Sequence, residues 1–184
     1  MLILSYRKDE SLSLVHVLAF FAAMTVAITY YAMRSGVLVS WHDGVPILIG
    51  RYLSDAIAFG MLSSALCLFA GAPSSTLVLF IVCDIMCFTS LLLGAVVSGP
   101  MTYVWFFGAL FFVGLAFVQL MQMLKTAERE GFEEFDSLGS LSVLVFGGWG
   151  ARLFLWLGGL DGTGQMSLTA DVGTVLVVDA LCKV

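Results

Sequence analysis

The chain has 184 residues, 60% of them hydrophobic and 11% charged, with a formal charge of −5 and a mean hydropathy of +1.04. A soluble globular domain is roughly half apolar and a quarter charged, so the balance excludes one and describes a multi-pass integral membrane protein in a lipid bilayer. There is no basic run to bind nucleic acid, and nothing points to an enzyme acting on a soluble substrate.

Six apolar runs follow in chain order, over 11–33, 49–70, 76–97, 101–124, 137–158 and 171–184. The first follows MLILSYRKDE, has no small-residue cleavage site and reads as a span, not a signal peptide. The breaks are RSGVLVSWHDGVP, AGAPSS, SGP, KTAEREGFEEFDS and GGLDGTGQMSLT, all with turn chemistry. The first five runs reach the roughly 20 residues that a helix needs to cross a bilayer. The sixth has fourteen. Because the runs are continuously apolar rather than alternating, a β-barrel is excluded. The expected fold is an all-α transmembrane bundle of six spans in one domain, 1–184.

If the first span starts in the cytoplasm, Arg7, Lys8, Lys125 and Arg129 are cytoplasmic and only Arg34 of the loop cations lies outside, as the positive-inside rule requires. Cys67, Cys83, Cys87 and Cys182 fall within apolar runs and read as small buried hydrophobes. His16 offers either a polar bundle contact or a ligand to a porphyrin.

An ionisable group at mid-bilayer costs about 2.5–3.5 kcal/mol even on the lenient insertion scale, so such groups generally have partners and functions. Arg51, Asp55, Asp84, Arg152, Asp179 and Lys183 lie within or near the ends of spans. Arg51 with Asp55, and Asp179 with Lys183, are spaced i,i+4 and share a helix face. Held out of water, a lysine is a nucleophilic amine able to form a Schiff base with an aldehyde, and Asp179 stands one turn away as its counter-charge. The simpler alternative is an Asp–Lys pair that neutralises itself. Trp149 and Trp156 lie seven residues apart on the fifth span, and Tyr103, Trp105, Phe106 and Phe107 mark the fourth. These aromatics suit either a slot for a planar polyene or ordinary packing and interface belts.

Taken together, these residues resemble the microbial (type 1) rhodopsins. VVDALCKV is similar to their last helix, whose Asp-x-x-x-Lys carries retinal on the lysine. WGARLFLWLGGLDGTG resembles the sixth helix and its loop, with Trp149 and Trp156 matching pocket tryptophans and Asp161-Gly162-x-Gly164 the following turn. CDIMCFT around Asp84 resembles the fourth helix, GRYLSD with Arg51 the third, and YYAM at 30–33 the second. The resemblance implies a seven-helix fold lacking its first helix, with its last helix cut just after the lysine, hence a piece of a longer protein. It also implies retinal as a covalent Schiff base on Lys183, with Asp179 as counterion and Asp84 near the ring end.

Several positions depart from the family pattern. Ser54 stands where proton pumps carry the acceptor carboxylate, and Ala58 and Ala65 replace a hydroxyl and a donor acid, which is nearer the anion-pump pattern. Asp55 occupies the place of a pocket tryptophan, where a bulge would turn it inward as a substitute counterion, or else it pairs with Arg51. Arg152 matches a pocket tyrosine and is expected to pair with Asp179, taking the charge that the Schiff base needs. Leu153 replaces a helix-breaking proline. The implied function is light-driven ion transport, anion-type before outward proton pumping, or photosensing. The alternative is a non-photoactive structural subunit of a larger membrane complex. Partners are lipid, retinal and a possible homo-oligomer or larger complex.

Overall fold

The computed structural model describes residues 2–42, 44–97, 99–132, 134–159, 162, 164 and 166–183, with helical residues 2–12 and 181–183 described as backbone alone. Asp161 and the side chains of Cys182 and Lys183 therefore lie outside the described residues. In the hydrocarbon core a backbone must satisfy its own hydrogen bonds, and these continuously apolar runs do so as helices. They are α1 (Leu2–Arg34), α2 (Ile49–Phe69), α3 (Ser74–Val96), α4 (Met101–Arg129), α5 (Phe135–Gly158) and α6 (Leu168–Lys183). Five of the six have apolar segments long enough to cross a membrane, starting at Ser13 in α1. The sixth, α6, has 16 residues.

The turns form where the sequence breaks. After α2, Gly71 adopts φ +64°, while its N–H donates to the carbonyl of Leu68 and that of Ala72 to Cys67. After α4, Gly131 adopts φ +66°, with matching bonds from Gly131 to Glu128 and from Phe132 to Ala127. Both are the two-bond helix ends that need a left-handed residue. The long break after α1 is not a plain loop. It contains an antiparallel hairpin, β1 (Ser40–His42) and β2 (Val45–Ile47), with His42 opposite Val45.

Along the bundle α1 packs on α2, α2 on α3, α3 on α4, and α5 closes against α2, α4 and α6. The α1–α2 approach is close, because a Cβ on Gly50 would lie 2.9 Å from Met33 Cγ and Thr29 Cγ2. Phe59, Phe80, Leu91, Leu138, Trp149 and Trp156 are among the buried residues of the core. As successive helices alternate in direction, the hairpin, the start of α2, the end of α5 and the start of α6 share one end. The Lys125–Arg129 segment lies at the other, with the N-terminus.

Candidate functional site

The inner face of α2 carries charges one turn apart, and the structure gives each an interhelical partner. Arg51 Nη1 donates to Asp171 Oδ2 of α6 at 2.6 Å. Arg152 Nε of α5 donates to Asp55 Oδ2 at 2.5 Å. Both pairs are buried, with side-chain exposures of 4% and 3% for the first and 6% and 1% for the second. Sharing a face, as the i,i+4 spacing requires, thus brings Arg51 and Asp55 to two different helices.

Three expectations are corrected by this arrangement. Arg152 was expected to pair with Asp179, but it pairs with Asp55, because both side chains project from facing stripes of α5 and α2 into the same layer. Asp55 needs no bulge to face inward: α2 is continuous from Ile49 to Phe69, and Asp55 is fully buried. The alternative of an intrahelical partner for Asp55 gives way to the partner on α5. Asp179, itself buried, accepts from the hydroxyl of Tyr30 at 2.8 Å, which ties α6 to α1. Ser54 is buried and donates to the carbonyl of Arg51 at 3.0 Å.

On α5, Trp149 and Trp156 share a buried stripe with Arg152. Trp149 meets the edge of Phe59, centroids 6.2 Å apart, and tilts against Phe146 at 5.1 Å. Trp156 stacks on Phe106 at 5.4 Å with 9° between planes and donates its N–H to Tyr52 Oη at 3.0 Å. Its ring is admitted by Gly94 of α3, where a Cβ would lie 2.9 Å from Cζ2. Of the four aromatics marked on α4, only Phe106 faces this layer. Tyr103, Trp105 and Phe107 are exposed on the outer face, the side that a membrane protein turns to lipid. His16 is also on an exposed face of α1.

Asp84 is fully buried in α3, its Oδ2 3.8 Å from where a Cβ on Gly60 would stand. Leu153 is buried in an unbroken α5. The backbone of Lys183 lies one turn beyond Asp179 in α6. Sequence reasoning missed Asp171, Tyr30 and Tyr52 as partners. Asp171 is a further acid in an apolar run, and its position at the helix start hid it.

A family model described as bacteriorhodopsin-like protein matches residues 1–184. The halorhodopsin of Halorubrum sodomense is 26% identical over 190 residues, covering 96% of this chain and 66% of that protein; the chain thus spans about two thirds of the length of this curated relative. The light-driven proton pump LR (Mac) from Leptosphaeria maculans is similar at a TM-score of 0.83 and 19% identity, over 99% of this chain and 87% of that one. The bromide-bound form of halorhodopsin from Halobacterium salinarum is similar at a TM-score of 0.75 and 19% identity, over 97% and 91%. At these identities the structural likenesses show the fold alone.

Proposed function

Because the chain belongs to the bacteriorhodopsin-like protein family, we propose that it is a light-driven ion transporter holding retinal covalently at Lys183. In this reading α1 to α6 correspond to the family's second to seventh helices. The observation that carries it is the layer around Asp179. That acid is buried one turn before Lys183 and is held by the neutral phenol of Tyr30, while Arg152, the guanidinium best able to take its charge, is committed to Asp55. An acid buried in a span generally has a partner and a function, and in this reading Asp179 is the counter-charge of the cationic group carried by Lys183, whose backbone stands one turn on. The buried indoles of Trp149 and Trp156 supply apolar faces. These residues fit a flat apolar chromophore joined to an amine.

When bound, retinal supplies light-driven isomerisation. The chain's own residues set the charges around it. Asp179 stands as counter-charge, Tyr30 orients it, Arg51 holds the layer to α6 through Asp171, and Arg152 fixes Asp55. Asp84 lies deeper in α3 as a buried polar neighbour. Ser54 offers a hydroxyl where a proton acceptor would need a carboxylate, which favours an anion as the transported ion; the name of the halorhodopsin relative records bromide as bound to that protein. In liposomes under illumination, transport is expected to require chloride and to stop in sulfate. A light-driven pH change that persists in sulfate and collapses with protonophore reassigns the ion to the proton.

One observation favours a second reading, a non-photoactive subunit on the same scaffold. The Asp55–Arg152 pair places charges at the two positions that the resemblance assigns to a pocket tryptophan and tyrosine.

A further inference from the structure

Among the buried polar atoms that the two ion pairs of the charged layer leave over are a donor of Arg152 and an acceptor of Asp171. Arg152 Nη2 and Asp171 Oδ1 are buried without a hydrogen-bond partner among the described residues. Leaving such groups unmade costs about 1–3 kcal/mol each, more when they are charged. Both side chains line a single internal chamber, walled also by Arg51, Tyr52, Phe88 and Trp156. Its volume is about 10 Å³, and on the order of 10–15 Å³ suffices for one water.

We infer that one structural water occupies this chamber, accepting from Arg152 Nη2 and donating to Asp171 Oδ1. The chemistry selects the guest. It must accept on one side and donate on the other, which water does. A halide accepts only, is larger, and would face Asp171 Oδ1 with like charge. It would also add a net negative charge to four residues, Arg51, Arg152, Asp55 and Asp171, whose charges already sum to zero. Trp156 does not compete, because its N–H is committed to Tyr52.

The water closes a circuit. Arg51 and Asp55 stand one turn apart on α2, Arg51 reaches Asp171 on α6, Asp55 reaches Arg152 on α5, and the water joins Arg152 back to Asp171. Three helices are thereby linked in one ring, and a change of charge at Asp55 is felt at Asp171 through a single molecule. This ring is independent of the transport reading and holds whether or not the chain carries a chromophore. If transport of an anion is correct, the chamber is a joint in the wall and not a resting place for the ion.

Crystals of the full chain grown in bromide test the site directly. A single oxygen peak within hydrogen-bond distance of Arg152 Nη2 and Asp171 Oδ1, without anomalous signal, is expected. A bromide peak there, or no density, overturns the inference. Thermal midpoints of Arg152→Gln, Asp171→Asn and the double variant test the circuit, since these two residues are not ion-paired with each other. The double variant is expected to lose clearly less than the sum of the single losses, and strictly additive losses overturn the closed ring. Should a variant fail to fold, the map of the unaltered protein decides.

Discussion

The Asp55–Arg152 pair gives a prediction whose size can be worked out. Arg152 Nε lies 2.5 Å from Asp55 Oδ2, and neither side chain is more than 6% exposed. Removing one partner of such a pair leaves a buried charge uncompensated, which costs about 3–5 kcal/mol. In a chain of this length each kcal/mol moves the thermal midpoint by about 2–4 °C. Asp55→Asn, which keeps the shape and removes the charge, is therefore expected to lower the midpoint by roughly 6–20 °C on that scale. Replacing both partners with apolar groups, Asp55→Leu with Arg152→Met, removes the unpaired charge and is expected to recover most of the loss. Circular dichroism during heating in detergent, on the single and double variants, reads both. A single variant that loses no more than the roughly 0–1 kcal/mol of an exposed pair would refute the reasoning, as would a double variant worse than the single one.

Other sites give smaller, separable effects. Gly94→Ala places a methyl 2.9 Å from the Trp156 ring and is expected to destabilise by about 1–3 kcal/mol through overpacking, read as a lower thermal midpoint. Tyr30→Phe deletes the hydroxyl donated to Asp179 and is expected to cost about 1.5–3 kcal/mol, the range of hydrogen bonds to charged groups; an unchanged midpoint would remove Tyr30 from the site. Trp156→Phe keeps a ring against Phe106 but loses the bond to Tyr52, with an expected loss of at least about 1 kcal/mol, checked against Tyr52→Phe, which removes the same bond.

The spans were legible because each is an uninterrupted apolar run ended by glycine, proline or charge, and the α2 and α3 boundaries fall within two residues of those read from sequence. The hairpin was not, because strands of three residues are too short to show alternation and Ser40–His42 is exposed throughout. Burial of Arg51, Asp55, Asp84 and Arg152 was legible from the cost of charge in lipid. Their partners were not, since i,i+4 spacing tells which residues share a face but not which helix that face meets. Thus Arg51 meets Asp171 and Arg152 meets Asp55, while Asp179 accepts from Tyr30, whose position is 149 residues away in sequence.

The central claim is a chromophore joined to Lys183 beside Asp179. It is tested most directly by the absorption spectrum of the protein expressed with all-trans retinal, set beside that of Lys183→Ala. A discrete band that hydroxylamine bleaches, present in the unaltered chain and missing in the variant, is the predicted result. A spectrum with no such band in either, or the same band in both, would contradict it.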